Sequence, residues 1–166
     1  MPATVKSPEP LREEAARLYA ALSELVRVYQ FRDRDRICCH DISVTQCYAL
    51  EALVRVGPRT LNELAAELYL DKSTASRVVT TLERKGYVAR QTHPRDRRSI
   101  LIDLTTAGRR LHARIEKDLV EETRQLLKDF DPTVRDAAPA LLSRLAKAAE
   151  RRAGCGSGAA SEPCCA

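Results

Sequence analysis

Six cysteines are spread unevenly along this chain of 166 residues. Cys38 and Cys39 are adjacent, Cys47 follows close behind, and Cys155, Cys164 and Cys165 stand near the C-terminal end. Thiolates are soft donors that prefer soft, thiophilic centres. On a regular helix neighbouring side chains diverge by about 100°, so Cys38 and Cys39 reach one centre only if the helix is broken beside them. The polar stretch Asp33-Arg34-Asp35-Arg36 suggests such a break. The tail cysteines hang on a Gly/Ser-rich tether, which raises local thiol concentration without a fixed pocket. These six residues are candidate ligands for a three-thiolate site. Trivalent arsenic or antimony fits it best, with mercury or zinc as alternatives. Cys47 has a second reading, because it occupies an apolar helical position suited to a small core residue. His40 beside Cys39 pairs a base with a nucleophile, yet adjacent side chains rarely align and no third residue orients them. No enzyme activity is expected.

A disulfide scaffold explains these cysteines poorly, since they cluster at the two ends of a helical chain and leave its middle bare. The charged fraction is 31% and the net charge is +5, which favours an anionic partner such as nucleic acid or a membrane surface. No apolar run approaches the ~20 residues that span a bilayer, and the first ten residues lack an apolar signal core. The chain reads as soluble and intracellular, hence cytoplasmic, with no membrane partner. Aromatic residues are only 4%, so the core must be built of aliphatic side chains.

The elements that position any site follow from periodicity and caps. Ser7-Pro8-Glu9 starts a helix, and Leu11, Ala15, Leu18, Leu22, Leu25, Val28 and Tyr29 carry its apolar stripe to about Phe31. Ser43-Val44-Thr45-Gln46 is a capping-box pattern opening a second helix with Val44, Cys47, Leu50, Leu53 and Val54, stopped by Gly57-Pro58. Thr60-Leu61-Asn62-Glu63 is a second box, opening a short helix through Leu68. After a turn around Leu70 and Asp71, residues 72–85 form another helix, closed by Gly86. Two short helices joined by a tight turn outline a helix-turn-helix.

Ala75, Val79 and Leu82 form the apolar stripe of that last helix. Ser73, Thr74, Ser76 and Thr80 offer short polar groups around a long cation, Arg77, whose guanidinium suits a guanine edge in a major groove, and Lys72 at the helix start is a further candidate DNA contact. A solvated face is the plain alternative, though such faces are usually rich in Glu and Lys. Residues 87–92 and 99–104 alternate as half-buried strands do. Between them, Arg95, Asp96, Arg97 and Arg98 make a basic hairpin tip, with His93 also in the loop. From Arg84 to Arg98 six basic residues (Arg84, Lys85, Arg90, Arg95, Arg97, Arg98) face one acid, Asp96. Such a wing suits a minor groove, with Asp96 bracing the loop through a neighbouring arginine. Thr105 caps a long helix carrying Leu111, Ile115, Leu119, Leu126 and Phe130, on which His112 reads as solvated. Asp131-Pro132 starts the last helix, lined by Val134, Ala138, Leu141, Leu145 and Ala148. From Gly154 onward the chain is linker-like.

This order of elements resembles the MarR family of bacterial transcription regulators over residues 11–152. "LNELAAELYLDKSTASRVVTTLERKGYVAR", the Asp96-x-Arg98 step and Leu104-Thr105-x-x-Gly108 carry the likeness. The resemblance implies a mainly α fold with a small β-hairpin wing, a winged helix-turn-helix. It implies a homodimer held by the first and last two helices, which reads a palindromic operator in double-stranded DNA through residues 72–86 and needs no cofactor to do so. It also implies that Arg98 enters the minor groove. The chain then divides into an N-terminal dimerisation helix and loop (1–42), the DNA-binding region (43–104), C-terminal dimerisation helices (105–152) and a cysteine-bearing tail (153–166). In such a dimer the ends of the first and last helices share one layer, so head and tail cysteines can meet. The expected function is a repressor released by a thiol-reactive inducer. Oxidants acting through disulfides, or a small aromatic ligand with the cysteines incidental, are the alternatives.

Overall fold

The computed structural model describes residues 8–38, 40–92, 94 and 98–154. Within them, α1 (Pro8–Cys38), α2 (Val44–Val56), β1 (Arg59–Thr60), α3 (Leu61–Glu67), α4 (Lys72–Arg84), β2 (Val88–Thr92), β3 (Ile100–Leu104), α5 (Thr106–Leu126), a short 3-10 turn (Leu127–Asp129) and α6 (Pro132–Gly154) follow in order. The fold is therefore mainly helical, with one small sheet. Two compact units share the chain, residues 1–117 and 118–166.

In the first unit, both capping boxes form as their sequences require. Ser43 accepts from the Gln46 amide and the Gln46 side chain accepts from the Ser43 amide, each at 3.2 Å. Thr60 and Glu63 repeat the exchange at the start of α3. Each cap is worth about 1 kcal/mol of helix stability. Gly57 ends α2 at φ 75°, a conformation that disfavours any residue with a Cβ. Leu50, Leu53, Leu64, Val79 and Leu82 are fully buried where α2, α3 and α4 pack. Each contributes roughly 1.5–3 kcal/mol through burial.

The sheet is antiparallel with order β1-β3-β2, and Arg90 lies opposite Ile102 in the hairpin. Strand β1 was not anticipated. It is two residues long and exists only because β3 offers its free edge to Arg59 and Thr60. Behind the hairpin, the Thr105 hydroxyl donates to the Gly86 carbonyl at 2.6 Å and accepts from the Gly108 amide at 3.0 Å. Gly108 then lies so close to the Tyr87 carbonyl that an added Cβ would fall 2.1 Å from its oxygen.

Three expectations are corrected. Helix α1 does not stop near Phe31 but runs through Asp33-Arg34-Asp35-Arg36 to Cys38. Loss of an apolar stripe does not break backbone hydrogen bonds, arginine is a good helix former, and Ile37, 1% exposed, anchors the final turn in the core. The break thus comes after Cys38, where the His40 amide bonds the Ile37 carbonyl at 3.0 Å and Asp41 turns at φ 59°. His112 is not solvated: it is 8% exposed, on the face of α5 that carries Gly108 and Ile115. Phe130 lies beyond α5, past the 3-10 turn. In the second unit, the Asp131 carboxylate accepts from the Thr133 amide at 2.8 Å, so the expected start of the last helix is present.

Much of the apolar stripe of α1 remains exposed, including Leu11, Leu18, Leu25 and Val28. So do Val120, Leu126, Phe130, Val134, Leu141 and Leu142 of the second unit.

Candidate nucleic-acid interface

Asp71 organises the start of α4. It is the N-cap, accepting from the Thr74 amide at 2.9 Å and from the hydroxyls of Ser73 at 2.5 Å and Thr74 at 2.6 Å. Those donors, Ser73 foremost, hold its carboxyl well below the usual carboxylate range. The Thr74 hydroxyl in turn accepts from the Arg77 guanidinium at 3.2 Å. One carboxylate therefore orders three of the side chains singled out by sequence, and Asp71 itself was read only as a turn residue. Its signal was present, since Asp directly before a helix is a preferred cap.

A pH dependence follows. A carboxylate with a depressed folded pKa stabilises the protein above its unfolded value near ~3.9, and that stabilisation is lost as pH falls below it. Asp71→Ala should lower the melting temperature at pH 7, with the gap to wild type narrowing toward pH 3. A gap independent of pH would show that the charge of Asp71 does not hold the cap.

The rest of the face is set by the wing. Arg90 of β2 donates to Glu83 at 3.1 Å and to the Thr80 hydroxyl at 3.4 Å, joining strand to helix. Arg90, Lys72 and Arg98 line one groove of about 330 Å³, together with Ile100 and Ile102 of β3. Three cations thus converge on a slot between the start of α4 and the wing, and none of the lining residues is acidic. Ser73, Arg77 and Thr80 are exposed on the neighbouring helix surface, with Thr74 and Ser76 half-buried. Sequence reasoning missed the position of Arg90, because its contacts join residues separated by a turn and a strand.

Arg95, Asp96 and Arg97, like His93, lie outside the described residues. So do Cys39, Cys155, Cys164, Cys165 and the side chain of Cys38. Cys47 is described: it is 5% exposed, among the buried residues of α2. That placement is the core role rather than an open ligand position. No group of three or more His, Cys, Asp and Glu side chains is placed to hold a metal ion among the described residues.

The sequence profile of the MarR family matches residues 40–99, which span α2, β1, the helix-turn-helix and β2, the first strand of the wing. An uncharacterised HTH-type transcriptional regulator of Mycobacterium leprae is 31% identical over 133 residues, covering 77% of this chain and 90% of that protein. This chain belongs to the MarR family. Another relative, the uncharacterised HTH-type transcriptional regulator YkoM of Bacillus subtilis, is 30% identical over 92 residues, 55% of this chain and 58% of that protein. Among solved structures, a MarR family protein from Bacillus stearothermophilus superposes with a TM-score of 0.76 at 25% identity, over 84% of this chain and 97% of that one. The chain is thus a MarR-type transcriptional regulator. None of the described helices is long and apolar enough to cross a membrane.

Proposed function

We propose that this MarR-type regulator is a homodimeric repressor that reads a palindromic operator and leaves it when its thiols are taken. The observation that carries the DNA reading is the groove lined by Lys72, Arg90 and Arg98 beside the exposed Ser73, Arg77 and Thr80. Short hydroxyl side chains let α4 approach base edges closely, while cations at both rims neutralise phosphate. Arg98, with Arg95 and Arg97, serves the minor groove. The protein acts by binding rather than by catalysis.

The exposed apolar residues of α1 and α6 support a dimer, because one chain alone leaves them in water. A dimer sets the two α4 helices one turn of duplex apart, about 34–36 Å. Of the cysteines, Cys38 and Cys39 with one or more of Cys155, Cys164 and Cys165 are assigned to the inducer, preferably trivalent arsenic. Their support is chemical: soft thiolates, adjacent pairs, and a helix that ends at Cys38. Cys47 is left to the core.

Selection from random duplexes should return a palindrome whose half-sites lie one turn apart. Arsenite should release it, whereas peroxide and salicylate should not. Truncation after Arg152 should keep operator affinity while weakening the arsenite response. Release by salicylate alone, or a full arsenite response from the truncated chain, would overturn the assignment of the tail thiols.

A further inference from the structure

Lys85 belongs by composition to the basic run that faces DNA, yet its side chain is directed elsewhere. It follows the last residue of α4, and its ammonium donates to the backbone carbonyl of Asp41 and approaches the Asp41 carboxylate at 3.1 Å. The Lys85 side chain is 23% exposed, so it is largely withdrawn from solvent. Asp41 forms the corner between α1 and α2 in the left-handed region, φ 59°. Ile37 and Ile42, 1% and 3% exposed, pin both sides of that corner in the core.

The other end of Lys85 is equally committed. Its amide bonds Thr81 at 3.1 Å, the Gly86 amide bonds Glu83 at 2.9 Å, and the Tyr87 amide bonds Leu82 at 2.9 Å. The Tyr87 carbonyl accepts from the Thr105 amide at 3.1 Å. The end of α4, the start of β2 and the start of α5 therefore meet at residues 85–87, and the Lys85 side chain reaches from there to the α1–α2 corner.

We infer that Lys85 is a positioning residue for the recognition helix: it ties the C-terminal end of α4 to the α1–α2 corner and makes no phosphate contact. This rests on the reading of α4 as the element that enters the major groove, where base contacts come from its N-terminal part. A strut at the far end sets the angle at which that part is presented. Cys38 and Cys39 immediately precede the corner in the chain, so an inducer held there acts on α4 within one protomer.

Lys85→Gln and Asp41→Asn distinguish a strut from a phosphate contact. Asn tolerates the left-handed conformation, so the second change removes charge without straining the corner. Both variants of the full-length protein are titrated by fluorescence anisotropy against the duplex selected by wild type and against a random duplex, over a range of salt. A strut predicts that each variant loses about threefold to tenfold in preference for the selected duplex, that the double variant loses no more, and that the slope of log K against log salt is unchanged. A phosphate contact predicts equal loss on both duplexes, a slope shallower by about 0.9 per contact for Lys85→Gln, and tighter binding for Asp41→Asn. That second pattern overturns the inference. Hydrogen exchange without DNA is the independent readout: the amides of residues 85–87 should exchange faster in both variants. Unchanged exchange overturns the strut even if wild type selects no sequence, an outcome that would instead count against the DNA reading of α4.

Discussion

Gly108→Ala should destabilise the protein by about 3 kcal/mol, the upper end of what overpacking costs, with a matching fall in the urea midpoint. A Cβ there would fall 2.1 Å from the Tyr87 oxygen, 3.0 Å from its carbonyl carbon and 3.2 Å from the Leu104 side chain. The obstacle is backbone, so no rotamer change relieves it. The same carbonyl accepts from the Thr105 amide at 3.1 Å, and moving it breaks the junction between wing and α5. Gly86→Ala is the control. Nothing lies within 4 Å of its Cβ, but its φ is 76°, so its cost is the roughly 1–2 kcal/mol of a left-handed residue. If the two variants are equally stable, close approach is not the reason for glycine at 108.

Arg77→Ala should cost about 1–3 kcal/mol on the selected operator and relax the preference for one base pair per half-site. Arg77 is exposed on α4, and its guanidinium is held at 3.2 Å from the Thr74 hydroxyl, which Asp71 fixes in turn. The arginine is presented to DNA already partly ordered, which lowers the entropy lost on docking. Selection from random duplexes with the variant reads the effect directly. If affinity falls equally for operator and random duplex, Arg77 touches phosphate and the base assignment is wrong. Thr74→Val should give a smaller loss in the same direction, since it removes the hydroxyl that orients the guanidinium and leaves the cation in place.

Local chemistry alone determined a good part of this protein. Ser43 with Gln46, Thr60 with Glu63, and Asp131 before Pro132 signal helix starts within four residues, and all three form. The polar face of α4, the alternation of the wing strands and the basic run between them are likewise short-range patterns. The tertiary structure decided what depends on residues far apart in the chain. The burial of His112, the pairing of β1 with β3, the extension of α1 to an anchored Ile37, and the union of Arg90 with Thr80 have no local signature. Lys85 shows the difference most plainly. In sequence it is one more cation beside the wing, and only the approach of Asp41, 44 residues away, turns it from a charge for DNA into a tie within the protein. Periodicity records which face of an element is apolar; it carries no record of which distant group a long polar side chain will meet.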